Sequence, residues 1–197
     1  MILISVLIIV SFITGSIPFG IIVARIKGVD LKKVGSGNIG ATNVLRSMGK
    51  SPAALTLLGD ILKGTLAVAL GRHFGVGAWY EGLIGISAIL GHNFSVFLNF
   101  RGGKGVATSL GVLLIYSPLA ALCTIVIWLA VALFTRYSSL GAIVSFGLLP
   151  FSEYLLDTGN KEKLIITVFI AVFILLRHSD NIARLLKGTE RRIGQRV

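Results

Sequence analysis

The chain has 197 residues, of which 54% are hydrophobic and 14% charged, with a formal net charge of +11 and a mean hydropathy of +0.89. Soluble domains are about 25% charged, so this composition excludes a disordered chain, a coiled coil and a nucleic-acid-binding domain with cations along a polar face. One cysteine excludes a disulfide framework, and three histidines with eight carboxylates leave little material for a metal centre, so neither metal nor cofactor is expected.

Residues 2–24 are uncharged. As a helix they extend about 34 Å, enough to cross the roughly 30 Å hydrocarbon core of a bilayer. No basic residue precedes them and Arg25 follows, which argues for a span rather than a signal peptide and for an outside N-terminus. A glycine-rich basic stretch runs over 25–50, and Ser51-Pro52 then opens a second span at 53–71. A short turn over 72–80 leads to a third span at 81–98, and Arg101 and Lys104 follow. Residues 105–135 carry no charge and are divided by Ser117-Pro118. Two further apolar runs cover 138–152 and 164–176.

The uncharged stretch 105–135 is long for one crossing and short for two. With two crossings, residues 25–50, Arg101, Lys104, Arg136 and the tail 177–197 share one side, and 15 of the 19 basic residues face inward. With one crossing, the basic tail would face outward. The charge rule therefore predicts an all-α integral membrane protein, one domain over 1–197, with seven helices, N-terminus outside and C-terminus cytoplasmic. Asp60 and Lys63 lie inside the second span, either as a functional pair or as a self-neutralising one.

The inner loops hold glycine, hydroxyl and amide groups beside the cations. The first reads Gly35-Ser36-Gly37-Asn38-Ile39-Gly40-Ala41-Thr42-Asn43, with Arg46 on the helix expected next. Its G-x-G-x-x-G match is weak, because a dinucleotide fold needs a strand before it. The underlying chemistry survives, since glycines let backbone N–H groups approach an anion at a helix start. The second patch contains His92, Asn93, Arg101, Gly103, Lys104 and Thr108. It is not a Walker A loop, which needs Ser or Thr after Gly-Lys, where Gly105 stands. The third contains Arg177, His178, Asn181, Arg184 and Glu190. If the last helix continues past the membrane, Arg177, Asn181 and Arg184 share one face. Each patch alone has an ordinary explanation: a flexible turn, a positive anchor, or an amphipathic tail on anionic lipid. Three such patches on one membrane face point instead to a phosphate-binding site within reach of lipid.

The strings GSGNIGATN, GHNFSVFLNFRGGKGVATS and RHSDNIARLLKGTE, with DILKG at 60–64, closely resemble the motifs of the bacterial acyl-phosphate:glycerol-3-phosphate acyltransferase family. The resemblance covers nearly the whole chain. It implies a multi-pass enzyme of the bacterial inner membrane, with its active site on the cytoplasmic face. Such an enzyme moves a fatty acyl group from acyl phosphate to the sn-1 hydroxyl of glycerol 3-phosphate, giving lysophosphatidic acid and phosphate at the first committed step of phospholipid synthesis. A soluble phosphate acyltransferase would supply the donor, and no nucleic acid is involved. The candidate catalytic groups are His92, Lys104, Asn181 and His178. The candidate substrate-binding residues are Ser36, Gly37, Asn38, Gly40, Thr42, Asn43, Arg46, Asn93, Arg101, Gly103, Thr108, Arg184 and Glu190. The other class that uses such groups is a transporter of a phosphorylated metabolite, although transporters tend to bind at the membrane midplane between repeated halves.

Overall fold

Pro18 interrupts the first apolar run. Proline has no N–H to give and disfavours helical geometry in the residue before it, so the chain forms α1 (Ile2–Ser16) and α2 (Phe19–Ile26) with a break at Ile17. The computed structural model describes residues 1–195; Arg196 and Val197, the end of the expected basic tail, lie outside the described residues. The remaining helices are α3 (Ala41–Met48), α4 (Lys50–His73), α5 (Ala78–Asn93), α6 (Val106–Tyr116), α7 (Pro118–Thr135), α8 (Ser138–Gly147), α9 (Leu149–Leu156), α10 (Lys161–Arg177) and α11 (Ser179–Leu186), and no strand occurs among the described residues.

Two helix pairs approach backbone to backbone. Gly15 of α1 lies against the Ala88 carbonyl of α5, and Gly91 of α5 against the Phe12 carbonyl of α1. Gly64 of α4 meets the Thr108 carbonyl, and Gly111 of α6 meets the Ile61 carbonyl. A Cβ at any of these four would overlap the facing oxygen. Such contacts suit bilayer helices, where close packing replaces the missing hydrophobic drive between helices. On the opposite faces large apolar side chains stand exposed: Leu119, Leu122, Val126, Leu129 and Leu133 make one outward stripe along α7. A stripe of that size in water would be an interaction site or an aggregation hazard; against lipid it needs no cover.

Every expected span contains a helix, with instructive differences. Four segments have the length and apolarity to cross a membrane: Ile2–Ile26, Lys50–His73, Ala78–Leu98 and Pro118–Thr135. Counting each bent pair as one span brings the number among the described residues up to six, with α8 and α9 bent by 41° and α10 and α11 by 56°. Within 105–135 the division falls where Ser117-Pro118 predicts it, with Pro118 opening α7, but α6 has only 11 residues. The last span does not continue as one straight helix. His178 leaves helical geometry at φ −104°, and its Nδ1 lies 2.8 Å from the Ile174 carbonyl. The stripe expected of Arg177, Asn181 and Arg184 is therefore broken at its first member: Arg177 turns to the Gly103 carbonyl, while Asn181 and Arg184 stay together on α11 and share Glu190.

Candidate active site

The first loop is organised by Asn43, the third residue of α3. Its Oδ1 accepts the Ser36 N–H at 2.8 Å, and its Nδ2 lies within reach of the Leu31, Val34 and Asn38 carbonyls at 3.3, 3.1 and 2.8 Å. Asn38 Oδ1 in turn accepts the Gly40 N–H at 2.9 Å. Both amides thus hold the loop, and Gly35 and Gly37 take the left-handed conformation that closes it. What the loop presents is Ser36, Thr42 and Arg46. Thr42 Oγ1 lies 3.2 Å from Ser138 Oγ, and Arg46 donates to the Arg191 carbonyl at 3.0 Å. Burial lowers the pKa of Arg46, while Glu190 opposes that shift.

The second loop folds back on the end of α5. Gly103 N–H donates to the His92 carbonyl and Gly102 N–H to the Asn93 carbonyl, both at 3.0 Å. A Cβ at Gly103 would overlap His92 Nε2, and one at Gly105 would lie 2.6 Å from Asn93 Nδ2. The glycines therefore allow the loop to lie directly on two buried side chains. Asn93 is a scaffold here, with Nδ2 bonded to the Ile89 carbonyl at 2.9 Å. Lys104 emerges between these contacts and hydrogen-bonds Asn181 Oδ1. Burial pushes its pKa down to about 8; Arg184 and Arg177 add to that shift, and Glu190 and Asp180 oppose it.

The third patch completes the enclosure. Arg177 donates to the Gly103 carbonyl at 3.0 Å and stands over the Phe94 ring, 5.6 Å from its centroid. Beyond α11 the chain reverses at Gly188, where Gly188 N–H bonds the Leu185 carbonyl and Thr189 N–H the Arg184 carbonyl, a Schellman stop. That reversal returns Glu190 to α11, where it accepts from Asn181 Nδ2 at 2.8 Å, Arg184 Nε at 2.7 Å and Ser139 Oγ at 2.8 Å. Burial alone would raise the Glu190 pKa, yet these three hydrogen bonds lower it. His178 is buried, only 3% exposed. With Nδ1–H assigned as donor to the Ile174 carbonyl, Nε2 is left as the acceptor.

The three patches thus meet at one place through Arg177–Gly103, Lys104–Asn181–Glu190 and Arg46–Arg191. Two candidates lie apart. Arg101 is exposed, with no side-chain hydrogen bond among the described residues. Thr108 is fully buried in the contact between α4 and α6, and its hydroxyl has no partner among them. Ser138 and Ser139 escaped the sequence reading; their signal is a hydroxyl pair opening an apolar helix just after Arg136.

A model of the family described as glycerol-3-phosphate acyltransferase matches residues 5–188. The chain belongs to the glycerol-3-phosphate acyltransferase family. The acyltransferase is 50% identical over 188 residues to a "Glycerol-3-phosphate acyltransferase" of Thermus thermophilus, covering 95% of this chain and 94% of that one. It is 46% identical over 187 residues to "Glycerol-3-phosphate acyltransferase 1" of Deinococcus radiodurans, at 95% and 94% coverage. It also superposes with a TM-score of 0.92 on a crystal structure of PlsY (YgiH), an integral membrane glycerol 3-phosphate acyltransferase, in its glycerol 3-phosphate form, at 40% identity and with 97% and 96% of the two chains covered. The lysophosphatidic acid form of that enzyme gives 0.90 at 39% identity, with 97% and 95% covered. The acyltransferase is accordingly an integral membrane protein, and its family sets aside the transporter reading.

Proposed function

We propose that the enzyme transfers a fatty acyl group from acyl phosphate to the sn-1 hydroxyl of glycerol 3-phosphate, releasing 1-acylglycerol 3-phosphate and phosphate. A soluble phosphate acyltransferase would make the donor. The observation that carries this reading is the convergence of Lys104, Arg177, Arg184 and Arg46 from three segments of the chain. Two phosphates have to be held together, one on the acceptor and one on the donor, and that takes several cations. Acyl phosphate is already activated, so the enzyme needs no covalent acyl intermediate. Its tasks are to place hydroxyl beside carbonyl and to stabilise developing charge. Ser36, Arg46 and Lys104 hold phosphate. The Gly37 and Gly40 N–H groups are bonded within the first loop, so Asn181 and the N–H groups of Asn38, Ile39 and Ala41 are the ones that orient the donor or hold the oxyanion. In detergent, the purified protein should release phosphate from acyl phosphate only when glycerol 3-phosphate is present. Equal release without it, or acyl transfer from acyl-CoA alone, would sink the donor assignment.

The same reading places the protein in a bacterial inner membrane, with seven crossings, an outside N-terminus and the site on the cytoplasmic face. α6 and α7 meet at Ser117. The 18 residues of α7 extend about 27 Å from there to the inner surface, while the 11 of α6 extend only about 16 Å. The start of α6 is then recessed from that surface, and the loop carrying Lys104 just before it lies within reach of a lipid whose chain is in the inner leaflet. In a Cys123→Ala background, Arg46→Cys, Arg136→Cys and Arg184→Cys should resist an impermeant thiol reagent in intact cells, and Lys161→Cys should react. Labelling of Arg184→Cys from outside would overturn the topology.

A base must accept the hydroxyl proton. The leaving phosphate, with a second pKa of about 6, suits that task. His178, buried with Nδ1 against the Ile174 carbonyl, then orients groups through Nε2. On this account His92→Gln, which keeps hydrogen bonding but not basicity, retains measurable turnover. Collapse by about 10⁴ or more, beyond the usual contribution of a general base, would instead make the His92 ring indispensable.

A further inference from the structure

We propose that Asp60 and Lys63 are positioning residues for acyl transfer: they hold His92 with Nε2 against Gly103, so that the glycine loop presents Lys104 to a substrate phosphate. The inference rests on the reading of that loop as a phosphate site.

The two charges lie three residues apart on α4, with both side chains only 3% exposed, and Lys63 Nζ is 2.8 Å from Asp60 Oδ1. Lys63 also donates at 2.9 Å to the Ile17 carbonyl, at the break before α2, where the same oxygen accepts the Phe19 N–H at 3.2 Å. The same Asp60 oxygen lies 3.4 Å from His92 Nδ1, on a side chain 5% exposed. Beyond these ion-pair contacts neither Asp60 Oδ1 nor His92 Nδ1 has an aligned hydrogen bond among the described residues.

Stability does not explain the arrangement. Taking two charges out of water costs about as much as their attraction returns, and apolar replacements of similar volume are often neutral or better. What the pair does is set the Nδ1 edge of the imidazole, Asp60 by contact and Lys63 through Asp60. The Nε2 edge abuts Gly103, whose N–H is bonded to the carbonyl of the same histidine. His92 thus touches the loop with both ring and backbone, immediately before Lys104. Rotating the ring would push or release Gly103 and shift the lysine.

The test is a cycle of purified variants in detergent, read by steady-state kinetics and thermal unfolding. Asp60→Asn/Lys63→Met removes both charges together and leaves no unpaired ion. It should raise KM for a phosphate substrate about tenfold, with a smaller change in kcat. In a His92→Gln background the same pair of substitutions should add little, because the effect travels through the ring. Wild-type KM values with only a lower unfolding temperature would reduce the pair to a structural role, and full additivity with His92→Gln would show that it acts elsewhere. Should the double variant fail to purify, Asp60→Glu is read in the same cycle, since it keeps the charge but displaces the carboxylate by one methylene. Wild-type protein without glycerol 3-phosphate-dependent turnover would overturn the phosphate-site reading itself, and the inference with it.

Discussion

Gly103→Ala is expected to lower kcat/KM for glycerol 3-phosphate by about 100-fold. Gly103 does not have the left-handed backbone that only glycine tolerates well, so alanine is not excluded by conformation. The obstacle is the Cβ, which would overlap His92 Nε2 and lie 3.0 Å from two ring carbons. The ring is buried beside Asp60 and cannot swing away. The loop has to move instead, and a shift of about 1 Å at a reacting site can cost on the order of 10²-fold. The contact is checked by removing what is struck. In a His92→Ala background Gly103→Ala should cost less than about tenfold. A hundredfold loss in both backgrounds would assign the effect to the backbone of the loop.

The apolar runs that become helices, and the three polar patches that meet, were legible in the sequence because charge is costly in hydrocarbon. Long uncharged runs and the cations between them therefore mark the elements directly. Pro18 and Pro118 also speak locally, since a missing N–H breaks a helix wherever it falls. The bend at His178 did not show, because nothing in Arg177-His178-Ser179 forbids a helix; the ring's contact with the Ile174 carbonyl exists only once the turn has formed. Sequence also treats all the amides of the first loop alike. Only the fold separates Asn43 and Asn38, whose side chains hold the loop, from Ser36 and Arg46, which it presents. Asp60 and His92 are 32 positions apart in the chain. Their meeting depends on α4 and α5 lying side by side, which periodicity does not encode. The return of Glu190 onto α11 was half visible: Gly188 announces a helix stop, but not the direction in which the chain leaves.

Lys104→Ala is expected to lower catalytic efficiency by about 10–150-fold, the equivalent of roughly 1.5–3 kcal/mol for a charge-assisted phosphate contact. Lys104 is well placed for that contact. It stands on a glycine loop, hydrogen-bonded to Asn181, with Arg177 and Arg184 nearby to share the phosphate charge. Lys104→Arg should recover only part of the loss, because a planar fork replaces a compact ammonium on a loop closely packed against His92 and Asn93. The pH dependence follows from the same burial. With its pKa held at about 8, free Lys104 is charged below that pH and neutral above it. kcat/KM, which reports the free enzyme, should therefore fall about tenfold per unit above pH 8. The substrate phosphates, with second pKa values of about 6, are already fully ionised there and add no limb of their own. In Lys104→Arg the guanidinium keeps its charge, so the alkaline limb should disappear even though the rate at pH 7 is lower. Wild-type efficiency of Lys104→Ala for both glycerol 3-phosphate and acyl phosphate would remove the lysine from the phosphate site. An unchanged alkaline limb in Lys104→Arg would assign that titration to another group.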